Sequence, residues 1–323
     1  MPVTGTYTAV NAVGIREDLS DVISRIDPTE TPFFSAIGKS KASAKYHEWQ
    51  IQNLAAAATV GSNAALDGAD AATASATPTT RVGNRTQIMT KTAKVSGGLQ
   101  AVDTAGRANE MEYQVLLKGL ELRRDMEVQL VQNGASRADN GTNTGLSASF
   151  ESWLVTNVSR GTGSPVGASG GFSAGAVAAP TDAGTARAFT ETLLKGVLAS
   201  VFSAGGKPSI IMLDPIQKQT FSSFAGLAQT RVTQDAKKNQ VSIIGAADIY
   251  VSDFGQLAAV PNIFQRHKSA LIVSPKFAKV AYLRSMRNWA LAKTGDADAR
   301  QLLVEFTLEM NNEAAHGIVA DLT

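Results

Sequence analysis

Residues 109–134, NEMEYQVLLKGLELRRDMEVQLVQNG, read as one helix with both ends marked, and the rest of the chain is arranged around it. The side-chain oxygen of Asn109 is placed to cap the first turn. Glu112, three residues on, is placed to reach back to the cap's own N–H, which makes a capping box in Asn/Glu form. Asn133 and Gly134 offer the left-handed conformation that closes a helix's last carbonyls. At 1.5 Å per residue the helix is roughly 36 Å long, about twice the average for globular proteins. Its apolar side chains fall on two opposite faces. Tyr113, Leu117, Leu120, Val128 and Val131 form one stripe, and Met111, Val115, Leu122, Met126 and Leu130 form the other. Glu110, Lys118, Glu121 and Asp125 fill one gap, and Glu112, Arg123 and Glu127 the opposite one. A helix apolar on one face lies on a surface; one apolar on two is expected to be sandwiched. An ordinary long core helix of an α/β domain is the alternative reading of this stretch.

Two segments before the helix look unable to fold alone. Residues 1–45 carry a short helical signal at 16–26, REDLSDVISRI, whose apolar face is only Leu19, Val22, Ile23 and Ile26. Pro32 and the pair Phe33 and Phe34 then interrupt any period. Such an arm needs something to lie on, since two adjacent Phe on a frayed terminus are a solubility liability. From Lys45 the pattern alternates: Tyr46, Glu48, Gln50 and Gln52 share one strand face, and His47, Trp49, Ile51 and Asn53 the other. After a small-residue stretch at 55–80, a second run through Gln87, Met89, Lys91 and Ala93 alternates again. Together these predict an extended hairpin. An isolated two-stranded hairpin is marginal in water, so the expectation is that it rests on another subunit. A disordered surface insertion is the competing reading.

After the helix, residues 138–185 are rich in Gly, Ser and Thr and loop-dominated, broken by FESWLVTNV around Trp153. From Ala188 the style becomes regular: a helix over 189–202, a buried strand PSIIML, a helix opening at Pro215, an exposed polar stretch at 231–238, and strands VSII and IYVSDF. This block, 188–262, is expected to be a small domain inserted into the main one. The remainder is strand-rich, with SALIVS, KVAYLRS and NWALAKT. In 301–310, QLLVEFTLEM, residues Leu302, Val304, Phe306, Leu308 and Met310 share a face. The segment 314–322 is expected to return as its partner strand across a turn at Asn311 and Asn312. That sheet is the candidate surface under the long helix.

Composition narrows function. The 323 residues carry 30 Lys and Arg against 28 Asp and Glu, a formal charge of +2, so no concentrated basic footprint for tight DNA binding is evident. With no Cys, disulfides, thiolate metal sites and cysteine nucleophiles are excluded. Neither a signal peptide nor an apolar run long enough to span a membrane is indicated, so a soluble chain made in the cytoplasm is expected. Residues 167–171, GASGG, match G-x-S-x-G, and Asp214 with His267 or His316 would complete a Ser, Asp, His order. The serine, Ser169, however lies in a Gly-rich loop rather than on a strand-to-helix elbow. His47, His267 and His316 fit no metal spacing, and surface or strand-face roles are expected of them. Asp296 with Asp298, and Asp139 with Asn143, read as turns rather than calcium loops. No cofactor and no metal is expected.

The order of parts, with the phrases DPTETPFFSAIGK, TAKVSGGLQAVDTAGRANEMEYQVLLKGLELRRDMEVQLVQNG, IYVSDFG and LAKTGDADARQLLVEFTLEMNNEAAHGIVADL, resembles the major capsid proteins of tailed bacteriophages, the Hong Kong 97-type fold. The resemblance spans nearly the whole chain, least at 160–185. It implies an α+β fold with an N-terminal arm (1–45), an extended loop (46–98), a peripheral domain (99–187 and 263–323) holding the spine helix, and an axial domain (188–262). It also implies hexamers and pentamers forming an icosahedral shell that encloses double-stranded DNA without sequence-specific contacts, in a virion assembled in the host cytoplasm. Charge near zero suits such a container.

Some relatives cross-link a loop-tip lysine to a neighbour's asparagine, but residues 50–80 contain no Lys, so a non-covalent shell is expected. The chain starts almost directly at the arm, so a separate scaffolding protein is expected, with a portal protein as a further partner and room for a decoration protein. Phe33, Phe34, Trp49, Arg81, Arg85, Lys91 and Lys94 are the candidate subunit-interface residues; the last four form a basic row expected to meet acidic groups of neighbours. The alternatives are an encapsulin-like nanocompartment shell, a serine hydrolase centred on Ser169, and a binding or adhesion module.

Overall fold

The computed structural model describes residues 26–70, 76–102, 104, 106–107, 109–224, 233–235, 240–242 and 248–323. The helix expected over 16–26 lies outside them save for Ile26, and most of the polar stretch 231–238 does too. After a one-turn helix α1 (Pro32–Ala36) and strand β1 (Gly38–Lys41) come β2 (Tyr46–Ile51), β3 (Thr80–Arg85), β4 (Gln87–Ser96), the short α2 (Gly97–Ala101) and the long α3 (Glu110–Val131). The loop-rich stretch holds a helical turn α4 (Phe150–Trp153) and strands β5 (Val158–Ser159), β6 (Gly171–Ser173) and β7 (Ala176–Ala178). Next are α5 (Glu191–Ser203), β8 (Ile210–Leu213), α6 (Pro215–Ser222), β9 (Thr233–Asp235), β10 (Gln240–Ser242), β11 (Ile249–Ser252) and β12 (Gly255–Pro261). The chain ends with β13 (Ser269–Val273), β14 (Ala278–Ala290), β15 (Ala297–Met310) and β16 (Gly317–Ala320). The expected α+β mixture is observed.

At the start of α3, Asn109 Oδ1 accepts from the Glu112 N–H at 3.3 Å, as the cap signal predicts. The other end differs: the helix stops at Val131 and Gln132 is extended, with no left-handed closure. Gly134 instead answers to close packing, because a Cβ there would meet Ser149 Oγ at 2.8 Å, and the Gly134 carbonyl accepts from Ser149 N–H and Ser152 Oγ. Of the two apolar stripes, Met111, Leu122, Met126 and Leu130 of one are buried, while in the other Val131 is buried and Val128 is 37% exposed. Within one chain the helix lies on β4 and β15, its C-terminal part also joins the core that holds Met212, Leu271 and Ile318, and the stripe with Val128 is covered only in part.

That sheet has the order β1-β14-β15-β4, with β1 parallel to β14 and the other pairs antiparallel. Leu302, Val304, Phe306, Leu308 and Met310 all face the core, as their alternation predicts. The partner strand expected at 314–322 is not beside them. Asn312 Oδ1 caps the Ala314 N–H at 3.1 Å and starts a 3-10 turn that redirects the chain, so β16 joins a second sheet between β13 and β5. The extended loop also differs from its expected span of 46–98. Its return run breaks at Thr86: β3 completes the hairpin with β2, whereas β4 pairs with β15 from Gln87↔Phe306 to Ser96↔Ala297.

The second sheet, β11-β12-β8-β13-β16-β5, draws strands from both sides of the boundaries expected at 188 and 262. Alternation on its strands explains why. Met212, Leu271 and Ile318 point into the core shared with α3, and Ile211, Ala270, Ile272 and Val319 point into the core under α5 and α6. The 188–262 block is thus the far side of a shared sheet rather than a separately closed unit.

Candidate subunit interface

The hairpin is fixed at its root and extends away at its tip. At the root, Asn84 is fully buried; its Oδ1 accepts from the Ala148 and Arg85 N–H groups at 2.9 Å each, and its Nδ2 donates to the Leu308 carbonyl at 2.8 Å. Gly83 precedes it because β2 passes so closely that a Cβ would meet the His47 carbonyl oxygen at 2.8 Å. Trp49 Nε1 donates to the Met310 carbonyl at 2.8 Å, and its ring lies 5.4 Å from that of Trp153. His47 and Ser40 both hydrogen-bond Glu309, and with Lys279 at 3.7 Å they hold that carboxyl below the usual carboxylate pKa, the His47 bond being the largest cause. Toward the tip, Gln52 Nε2 donates to the Thr77 carbonyl at 3.0 Å; beyond it, Leu54, Val60 and Leu66 are almost wholly exposed.

The expected interface residues sort themselves. Phe33 and Phe34 are buried inside their own chain, Phe33 edge-on to Phe150 with ring centroids 5.2 Å apart, so Phe33 has no surface left to offer a neighbour. Trp49 is half-buried in the root just described. In the basic row, Arg81 pairs with Glu48 on the adjacent strand at 3.0 Å, Arg85 stacks 4.2 Å over Tyr46, and Lys91 reaches Asp125 of α3 at 2.8 Å. That last bond raises the Lys91 pKa. Lys94 is exposed and makes no ion pair among the described residues. Charge reversal therefore separates two effects. Lys91→Glu sets a carboxylate against Asp125 and Glu121 and is expected to lower the melting temperature of the subunit. Lys94→Glu is expected to leave it unchanged and to slow assembly, read by light scattering; unchanged assembly removes Lys94 from the interface.

Several residues that pattern reading missed carry the arm and the core. Glu127, fully buried on α3, accepts from the Phe33 and Phe34 N–H groups at 2.8 Å each and from Asn262 Nδ2 at 2.7 Å. Burial pushes its carboxyl pKa up against the pull of those donors. Its signal in sequence is a carboxylate flanked on the helix by Leu130 and Val131. One turn earlier Arg123 donates to Thr31 Oγ1 at 2.9 Å and Ser35 Oγ at 3.1 Å. Glu151, also buried, meets Arg266 at 3.2 Å, and Arg266 pairs in turn with Asp182 at 2.6 Å. His316 is not on a surface or an open strand face but in the core, where Nδ1 accepts from the Ser274 N–H at 3.0 Å.

Ser169 precedes β6 in a loop, with no helix after it; the Asp214 carboxylate caps α6 by accepting from Ile216, and His316 is enclosed by Phe150 and Ser274. The strand-to-helix elbow of a hydrolase is absent among the described residues. Asp139 holds a turn through Gly141, as expected. Among the described residues no group of three or more His, Asp and Glu is disposed to hold a metal, and no helix is long and apolar enough to cross a membrane.

A spine helix laid on a sheet, an arm seated on that helix and a hairpin rooted in the sheet but reaching beyond the chain define a shell-building subunit of the Hong Kong 97 type. The chain belongs to the SU10 major capsid protein family, whose model matches residues 2–323. It is 26% identical to the major capsid protein of Escherichia phage Phieco32, over 97% of this chain and 96% of that one. Its fold is similar to a subunit in the capsid of a native GTA particle, with a TM-score of 0.63 at 10% identity, covering 98% of both chains. It is likewise similar to a chain in the structure of Phage G major capsid and decoration proteins, with a TM-score of 0.52 at 8% identity, covering 98% of this chain and 100% of that one. Its role is that of a tailed-phage major capsid protein, the subunit of an icosahedral shell.

Proposed function

We propose that this chain assembles as hexamers and pentamers into a non-covalent shell around double-stranded DNA, each hairpin lying across a neighbouring subunit. The observation that carries this is the contrast within the hairpin: a root held by Asn84 and Trp49, and a tip whose Leu54, Val60 and Leu66 contact almost nothing of their own chain. Exposed apolar side chains along the loop beyond the paired strands are stabilised by a second surface. In this reading the block around α5, α6 and β11 meets its copies at the symmetry axes. A separate scaffolding protein and a portal protein complete the assembly in this reading, and the Phage G structure, which contains decoration proteins, supports a decoration partner as well. The chain acts in the virion, after assembly in the host cytoplasm, and performs no catalysis; the use of Asp214 as a helix cap and the enclosure of His316 in the core support that last point.

Light scattering and negative-stain electron microscopy of the purified chain, with and without the products of its neighbouring genes, test the proposal. Six- and five-membered rings or closed shells are expected, dissolving to single subunits under denaturing conditions. A stable monomer under every condition rejects the shell arrangement. A ladder of covalently linked subunits in mass spectrometry rejects the non-covalent part alone.

A further inference from the structure

We propose that Glu127 and Arg123, one turn apart on α3, are positioning residues that set the direction in which the N-terminal arm leaves the subunit, and through it the curvature at which subunits join. The inference rests on the shell-building reading above and goes beyond it by naming what aims the arm.

Two kinds of contact hold α1. The Phe33 ring, buried beside Phe150, fixes where the segment sits. Pairing of β1 with β14 from Gly38 tethers the segment's C-terminal end, but apolar burial is non-directional and leaves its N-terminal end free to pivot. The polar contacts remove that freedom. The two carboxylate oxygens of Glu127 divide between consecutive amides of the first turn of α1, Oε1 taking Phe33 N–H and Oε2 taking Phe34 N–H, each at 2.8 Å. Two parallel bonds from one planar group set an orientation as well as a distance. Arg123 grips the same turn from outside, through Thr31 Oγ1 and Ser35 Oγ, with its guanidinium 5.3 Å over the Phe34 ring.

A third partner of Glu127, Asn262, sits in the turn that follows β12 in the six-stranded sheet. One carboxylate therefore references the arm to the spine and to that sheet together. An apolar residue at 127 would pack against the two phenylalanines but would strand their N–H groups and the Asn262 amide. The carboxylate satisfies those donors and, through them, adds direction.

The test uses the full chain with Glu127→Gln and, separately, Arg123→Ala; Arg123 is exposed, so its variant keeps the core intact. Hydrogen exchange reads the arm, and electron microscopy reads the particles. Both variants are expected to speed exchange at the Phe33 and Phe34 amides roughly tenfold while the β13 amides keep their protection. Both are expected to replace particles of one diameter with mixed diameters and open sheets. Unchanged exchange at Phe33 and Phe34 shows that these side chains do not hold the arm. Faster exchange with particles as uniform as the unaltered chain's shows that the seat does not set curvature. Either result overturns the inference. If Glu127→Gln does not fold, Arg123→Ala decides by the same two readings. Failure of the unaltered chain to form particles would instead reject the shell arrangement, so the two failures are distinguishable.

Discussion

Asn84→Ala is expected to lower the stability of the folded subunit by about 3 kcal/mol and to stop assembly. The side chain is fully buried and every polar atom of it is engaged. Its removal strands the Ala148 N–H, which Oδ1 had accepted at 2.9 Å, and takes a donor from the Leu308 carbonyl at 2.8 Å. Each buried group left without a partner costs about 1–3 kcal/mol, and the cavity of the missing amide adds to that. The loss falls where β3 hands over to β4, so the hairpin root loosens before the spine helix does. Urea melts of the monomer measure the first effect, and light scattering the second. Asn84→Asp separates size from bonding, since it keeps the volume but replaces the donating amide with a second acceptor. It is expected to destabilise at least as much as alanine at neutral pH. A variant of either kind that melts and assembles like the unaltered chain would show that the hairpin is held elsewhere.

Local signals in the sequence were legible where their physics is local. The Asn109 cap, the proline opening α6 at Pro215, the alternation of 301–310 and the face formed by Gln87, Met89, Lys91 and Ala93 all depend on neighbours within a few residues, and each appears in place. Partner choice was not legible. The turn residues Asn311 and Asn312 fit a hairpin as well as the capped 3-10 turn they form, and only the position of β13 decides between them. The second stripe of α3 was readable as core; the first is fully buried within the chain at Val131 and only partly covered elsewhere. Buried charge was the least visible. Glu127, Glu151 and Glu309 look like solvated positions in a pattern of polar and apolar letters, and their partners stand 94, 115 and 262 positions away. For the interface, the sequence marked the hairpin and arm as needing support, yet chose Phe33 and Lys91, which their own chain already engages. Exposure of apolar residues on a thin element is a property of composition, and Leu54, Val60 and Leu66 show it. Which residues their own chain engages is a property of the closed fold.

Acid is expected to weaken the subunit through His316 well before most of its carboxylates titrate. The ring is enclosed in the core against Phe150, and burial pushes its pKa from the ordinary 6.5 down to about 3. Its Nδ1 accepts from the Ser274 N–H, so the folded state requires that nitrogen unprotonated. A group whose pKa is depressed by folding contributes stability in full above its unfolded value and loses it as pH falls. Here the loss begins near pH 6.5 and ends near pH 3. One pH unit is worth about 1.4 kcal/mol in that window, so at pH 5 the unfolded state gains about 2 kcal/mol relative to pH 8. Glu309, held down by His47 and Ser40, acts in the same direction, but only below the ordinary carboxylate range. Glu127 and Glu151, raised by burial, act in the opposite direction as pH falls, so the histidine is isolated by comparison with a variant that shares them. His316→Asn keeps an acceptor near Nδ1 and removes the titration. Its packing defect lowers stability by an amount that does not change with pH. The difference in melting free energy between the two proteins is therefore expected to narrow by about 2 kcal/mol from pH 8 to pH 5. A difference that stays constant across that range would place the acid sensitivity of the subunit on other groups and leave His316 a packing residue alone.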